Sequence, residues 1–176
     1  MSILRYFFAS LICLLATTIA VGQAPAIVIE RNYDKDKDLS TERLGPIPLA
    51  KDDTLYHSLD FSLLHQYPGE KRTLAKEINF ELVSVVKARR LNTDLYIVFL
   101  VDEKPIHFSS NRSAIPNPVP GRLWVGEKMT FAIPFEQFVK IAEAKKLGIK
   151  MGAKTFEFDV KGRAALLAFL DILRPI

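Results

Sequence analysis

Apolar and polar residues alternate with a period of two in strand-length blocks, and this alternation most constrains what the chain can fold into. Leu55, His57, Leu59, Phe61 and Leu63 fall on one side of an extended backbone, with Ser58, Asp60 and Ser62 on the other. Ile78, Phe80 and Leu82 repeat the pattern against Asn79 and Glu81, and Met129, Phe131 and Ile133 repeat it again. Successive side chains of a strand point to opposite faces, so each block reads as a half-buried strand. The parity slips at Leu82-Val83, which is satisfied either by a β-bulge or by a strand buried on both faces. Leu95 to Val101 is apolar throughout, as expected of a central strand covered on both sides.

Turn chemistry divides these blocks. Asp34-Lys35-Asp36-Lys37-Asp38 separates a strand over Ala26–Glu30 from one over Leu39–Arg43, and Gly45-Pro46-Ile47-Pro48 is expected to break the pattern. Tyr67-Pro68-Gly69-Glu70, Leu91-Asn92-Thr93-Asp94 and Asp102-Glu103-Lys104-Pro105 read as turns, with Ile106 to Phe108 returning from the last. Ser109 to Arg122 is polar and carries Pro116, Pro118 and Pro120, which predicts one long extended loop.

The period changes near the C-terminus. Pro134 opens a helix in which Phe135, Phe138, Val139 and Ala142 share a face, and Gly148 stands where a left-handed cap is expected. Ile149–Met151 and Thr155–Phe158 read as a hairpin around Gly152. Asp159 is placed to cap a last helix that buries Leu166, Phe169, Leu170 and Leu173 and stops before Pro175. About eight short strands followed by helices at about 134–147 and 160–174 predict an α+β fold, predominantly an antiparallel β-sheet or sandwich with two late helices.

The first 22 residues read differently from the rest. Arg5 is the one charge before an apolar run to Val21, and Ala20-Val21-Gly22 ends it with small residues. That order predicts a signal peptide, residues 1–22, cleaved before Gln23, leaving a single domain over 23–176. The alternative is a retained membrane anchor. Cys13 follows Ile12 inside the apolar run, which does not suit a lipoprotein site. It is the chain's single cysteine, so no internal disulfide forms. A domain of this size buries about 68–70% of its unfolded surface and can rest on its core alone. Export without disulfides points to a bacterial, periplasmic or extracellular setting. Loss of Arg5 with the leader lowers the net charge from +4 to +3, too small to predict nucleic-acid binding.

Four stretches carry a resemblance: Tyr33-Asp34 with Thr41; Phe99-Leu100-Val101-Asp102-Glu103-Lys104-Pro105-Ile106; Phe131-Ala132-Ile133-Pro134 leading to Phe138 and Ile141-Ala142; and Met151-Gly152-Ala153-Lys154-Thr155-Phe156-Glu157-Phe158. In their order they resemble a family of exported bacterial β-rich domains with no known function. The resemblance implies the fold and the export, and no activity, site or cofactor.

Motifs that would carry chemistry fail on spacing. Asp34, Asp36 and Asp38 match the first positions of a calcium loop, but Leu39 and Gly45 stand where Gly and a bidentate Glu are required, and Lys35 and Lys37 oppose a cation. His57 and His65 lie eight residues apart, about 26 Å along one strand, so they cannot share a metal with each other there. Asp102, His107 and Ser109 share a hairpin but lack the strained turn that exposes a nucleophile. Asn111-Arg112-Ser113 is a glycosylation sequon that matters only in a eukaryotic secretory pathway. No catalytic, cofactor-binding or metal-binding residue is therefore assigned.

What remains is a surface. Lys87, Arg89 and Arg90 form a basic cluster, and Arg112, Arg122 and Trp124 flank the proline run. Arg89, Arg90, Arg112, Arg122 and Trp124 are the expected partner surface. The chain is expected to be an exported, non-enzymatic domain that binds a protein or envelope component. It is expected to need no cofactor and no nucleic acid, and to touch a membrane only through an uncleaved N-terminal segment. The alternative is a small apolar-ligand carrier with a cavity between sheet and helices. A filled core favours the first, and a lined cavity of about 300 Å³ or more favours the second.

Overall fold

The computed structural model describes residues 27–51, 56–86, 96–116, 118–122 and 124–174. The expected leader, 1–22, lies outside them. Among the described residues the chain forms β1 (Ile29–Asp34), β2 (Leu39–Lys51), β3 (Tyr56–Pro68), β4 (Glu77–Val86), β5 (Tyr96–Val101), β6 (Lys104–Ser109), β7 (Asn111–Ile115), β8 (Val125–Pro134), α1 (Phe135–Ala142), β9 (Leu147–Met151), β10 (Lys154–Glu157) and α2 (Val160–Leu173). Six strands make one sheet in the order β1-β2-β3-β4-β8-β7, and four make a second in the order β10-β9-β5-β6. Every pairing is antiparallel. The fold is α+β, mostly antiparallel sheet with two late helices, as the change of period predicts.

The alternating residues meet in the middle. Phe61, Phe80 and Phe131 stand side by side on β3, β4 and β8, with centroids 5.5 Å and 5.1 Å apart. The second sheet answers with Phe99, edge-on to Phe80 at 5.3 Å, and with Phe108, 5.6 Å from Phe131. Phe158, between β10 and α2, closes the stack 5.1 Å from Phe61. The helices join this core through Phe138 and Phe169, both fully buried and 6.3 Å apart. Burying each such ring contributes about 1.5–3 kcal/mol, and edge-on and offset pairs add to it.

Several sequence expectations are corrected. β2 does not stop at Arg43 but runs through Gly45-Pro46-Ile47-Pro48 to Lys51. Its register to β3 shifts twice there, and β1 ends opposite Leu44, so the prolines lie on an edge where their missing N–H groups cost no pairing. β1 itself starts at Ile29, later than the expected Ala26. In β3 the register shifts between Tyr56 and Ser58, so Tyr56 fills the core and His57 leaves the face of Leu59, Phe61 and Leu63. β4 keeps an unbroken register to β8 through Leu82-Val83, and its second half is buried on both faces, which answers the parity slip without a bulge there. β5 is central in its sheet, but Val98 and Leu100 are only half-buried, so one face is fully covered.

The expected long loop from Ser109 to Arg122 is also shorter. Asn111–Ile115 pairs with β8 as an edge strand, and the loop begins at the first proline. α1 ends at Ala142 rather than near 147. Gly148 sits inside β9, where a Cβ would lie 3.2 Å from Thr155 Cγ2 and 3.3 Å from the Phe156 carbonyl oxygen. It permits close strand approach and is not a helix cap. Asp159 does cap α2, its side chain accepting from the Gly162 N–H at 2.7 Å.

Candidate functional site

The expected partner surface divides. Arg122 and Trp124 come together at the end of the large sheet where Val125 pairs with Val86. The Arg122 guanidinium lies 5.8 Å from the Trp124 ring centroid, and the His57 ring lies tilted against the same ring at 4.6 Å. Arg112 belongs elsewhere. It pairs in register with Met129 and places Nη1 3.4 Å from the carboxylate of buried Glu127, so it serves the sheet and does not join Arg122. Arg89 and Arg90 lie outside the described residues.

The motifs set aside on spacing are occupied by local structure. Asp34 accepts from the Asp36 and Lys37 N–H groups at 3.1 and 3.3 Å and pairs with Lys37 Nζ at 2.7 Å, which holds its carboxyl below the ordinary value. Asp38 accepts from the Tyr33 hydroxyl at 2.7 Å, which raises the phenol above its ordinary value. Asp102 accepts from the Lys145 and Lys146 N–H groups, both at 2.9 Å, and so anchors the segment after α1. Among the described residues no group of three His, Cys, Asp or Glu side chains is placed to hold a metal, and no helix is long and apolar enough to cross a membrane.

A buried polar cluster escapes sequence reasoning. Ser40, Glu42 and Leu44 face inward from β2, opposite Tyr67, His65 and Leu63 of β3. Glu42 is 1% exposed and accepts from Arg72 Nε at 2.8 Å and Nη2 at 2.5 Å. The Tyr67 hydroxyl donates to the same oxygen at 3.4 Å, and His65 Nδ1 meets the other at 3.5 Å. Burial pushes the His65 imidazole below its ordinary value, against the pull of Glu42 and with the help of Arg72. A carboxylate in a strand pattern reads as outward-facing, and Arg72 lies 30 residues away, so only its partners reveal Glu42's position.

Clefts open at the surface of the described residues. One, of about 480 Å³, mixes Lys145, Lys146 and Arg163 with Glu103 and Glu157, and the Lys146–Glu103 pair at 2.9 Å already occupies part of its charge. Another, of about 360 Å³, lies between β2 and α2. Leu44, Gly45, Pro46, Ile47 and Pro48 form one wall and Ala165 part of the other, with Ile27 and Val28 at the rim. Asp159 and Lys161 are its charged lining residues. Ile27 is 42% and Val28 64% exposed, so apolar surface continues out of the cleft. Sequence reasoning placed a cavity between sheet and helices as an alternative but named none of these residues.

No family model, no curated protein and no solved structure matches this chain.

Proposed function

We propose that this chain is an exported binding domain, not an enzyme, and that it receives an apolar group of a protein or envelope component in the cleft between β2 and α2. The apolar cleft carries the reading. Its volume of about 360 Å³ lies at the small end of ligand sites, enough for a few apolar side chains or a short acyl chain. The wall is stiff, because Pro46 and Pro48 fix their own backbone angles. Prolines on this edge also lack N–H donors, which disfavours capture of an added strand and favours docking of side chains. The expected leader supports export, and the absence of disulfide chemistry fits a bacterial envelope.

The carrier alternative is favoured by the same volume, but the space between the two sheets is filled by aromatic rings, so an apolar ligand would sit in the open cleft and not inside. Backbone amide shifts in an NMR titration test both readings with two probes, a capped tri-leucine peptide and decanoate. Shifts at Leu44, Ile47 and Ala165 with the peptide, lost in Ile47→Glu, support the binding domain. The same shifts with decanoate alone support the carrier. Silence at those amides with both probes overturns both.

A further inference from the structure

We propose that His65, Glu42 and Arg72 form an acid-operated latch: protonation of His65 expels Arg72 from Glu42 and releases the C-terminal end of α2 from the sheet. The inference goes beyond the binding reading and does not depend on it.

The geometry places one carboxylate between two bases. Glu42 is the acid of the cluster, and Arg72 already neutralises it through two N–H groups on one oxygen. The His65 ring stands at the other oxygen, with its side chain 4% exposed against 1% for Glu42. A proton on His65 adds a second positive charge where only one negative charge is available, in a place that water does not reach. Arg72 is the member with a way out, since its side chain is 34% exposed.

Arg72 also holds something. Its Nη1 donates to the Ile172 carbonyl oxygen at 2.7 Å, in the last turn of α2, where carbonyls lack helical partners. The guanidinium therefore caps the helix and complements its dipole. When Arg72 leaves, both the cap and the middle of the segment between β3 and β4 are freed. That segment stays fixed at its ends: the Gly69 N–H donates to Asp38 O at 2.9 Å, the Ser40 hydroxyl donates to Gly69 O at 2.7 Å, and the Phe135 N–H donates to Lys76 O at 2.9 Å. Motion is thus confined to the exposed residues Lys71 to Leu74 and to the end of α2.

The other groups around His65 do not rival these. Tyr67, on its own strand, lies tilted against the His65 ring at 5.1 Å and donates to Glu42. Arg31 of β1 lies over the Tyr67 ring at 5.9 Å and donates to the Glu70 carbonyl. On β4 and β8 the inner face at this end carries Ile78 and Ile133. Asp171 of α2 and Arg174 just after it are exposed and pair with each other at 3.5 Å, and Arg174 also pairs with Glu143 of the α1 end. The burial that lowers the His65 proton affinity agrees with this balance. α2 lines the cleft through Lys161 and Ala165, so the latch holds one of its walls.

The test is a pH titration of the purified protein by NMR from about pH 7.5 to about pH 4.5, following the His65 ring and the amides of Lys71–Leu74 and Ile172–Arg174. The expected result is one shared midpoint below 6.5, the ordinary value of the imidazole. In His65→Gln the transition disappears from both segments, and in Arg72→Ala both take their acid positions already at pH 7.5. A His65 midpoint at or above 6.5, a ring that titrates without the two segments, or a transition that persists in His65→Gln with Glu42 as its trigger, overturns the latch. Should His65→Gln not fold, the ring and amide midpoints of the unmodified protein decide the matter.

Discussion

Replacing Phe80 with alanine tests whether the space between the sheets is filled. Phe80 is fully buried and meets Phe61 at 5.5 Å, Phe131 at 5.1 Å and, across the sheets, Phe99 at 5.3 Å. Three ring neighbours from both sheets leave little room to collapse, so the transfer loss and the cavity cost add, for about 3–5 kcal/mol. That is a large share of the ~5–15 kcal/mol that holds a domain together. For a chain of this length it lowers the melting temperature by about 6–20 °C. Urea unfolding followed by circular dichroism measures it, with Leu74→Ala as control. Leu74 is 70% exposed and its replacement should stay within about 0.5 kcal/mol. A double-mutant cycle with Phe99→Ala should add a coupling of about 0.5–1.5 kcal/mol for the edge-on pair. A Phe80→Ala loss below about 1 kcal/mol would refute the filled core and return the carrier reading to an internal cavity.

Gly45→Ala should destabilise by about 1–3 kcal/mol, because Gly45 has φ +99° and a Cβ would lie 2.7 Å from the Phe61 carbonyl oxygen; a change within about 0.5 kcal/mol in urea would contradict that packing. His65 binds its proton less readily folded than unfolded, so the contribution is complete above 6.5 and is lost as the pH falls from there toward the lower folded value. Stability of the unmodified protein should thus fall relative to His65→Gln by up to about 1.4 kcal/mol per pH unit in that window, and parallel curves would refute it. Export is expected to remove Met1 to Gly22, so intact-mass measurement on protein recovered from its host should find Gln23 first, and a soluble chain starting at Met1 would contradict the leader.

The parts of the fold legible in the sequence are those decided by local period. Phe61, Phe80 and Phe131 announce an inward face because each sits in an alternating block, and Leu166, Phe169, Leu170 and Leu173 announce a helix face in the same way. β7 was hidden because Asn111 to Ile115 has loop composition and becomes a strand only by pairing with β8. Gly148 misled because a glycine after a helical pattern looks the same whether it turns the chain or lets two strands approach. Of the surface expected from basic and aromatic residues, Arg122 and Trp124 meet, while Arg112 is spent on Glu127, a partner 15 residues on that no local signal connects to it.

The cleft and the latch were illegible for a shared reason, which lies in the unequal lengths of two strands. β2 has 13 residues and β1 only six, so β1 covers Leu39 to Leu44 and leaves the rest of β2 as an edge. On the covered half the inner face carries Ser40 and Glu42, and a carboxylate there must find a cation, which Arg72 brings from the connection between β3 and β4. On the uncovered half it carries Ile47 between prolines, paired with β3 on one side and with no strand on the other, and an apolar cleft opens. α2 spans both halves. Ala165 lines the cleft and Ile172 takes the Arg72 bond, seven residues and about 10.5 Å apart along the same helix. One helix thus meets both the open apolar cleft, through Ala165, and the buried charge cluster, through Ile172.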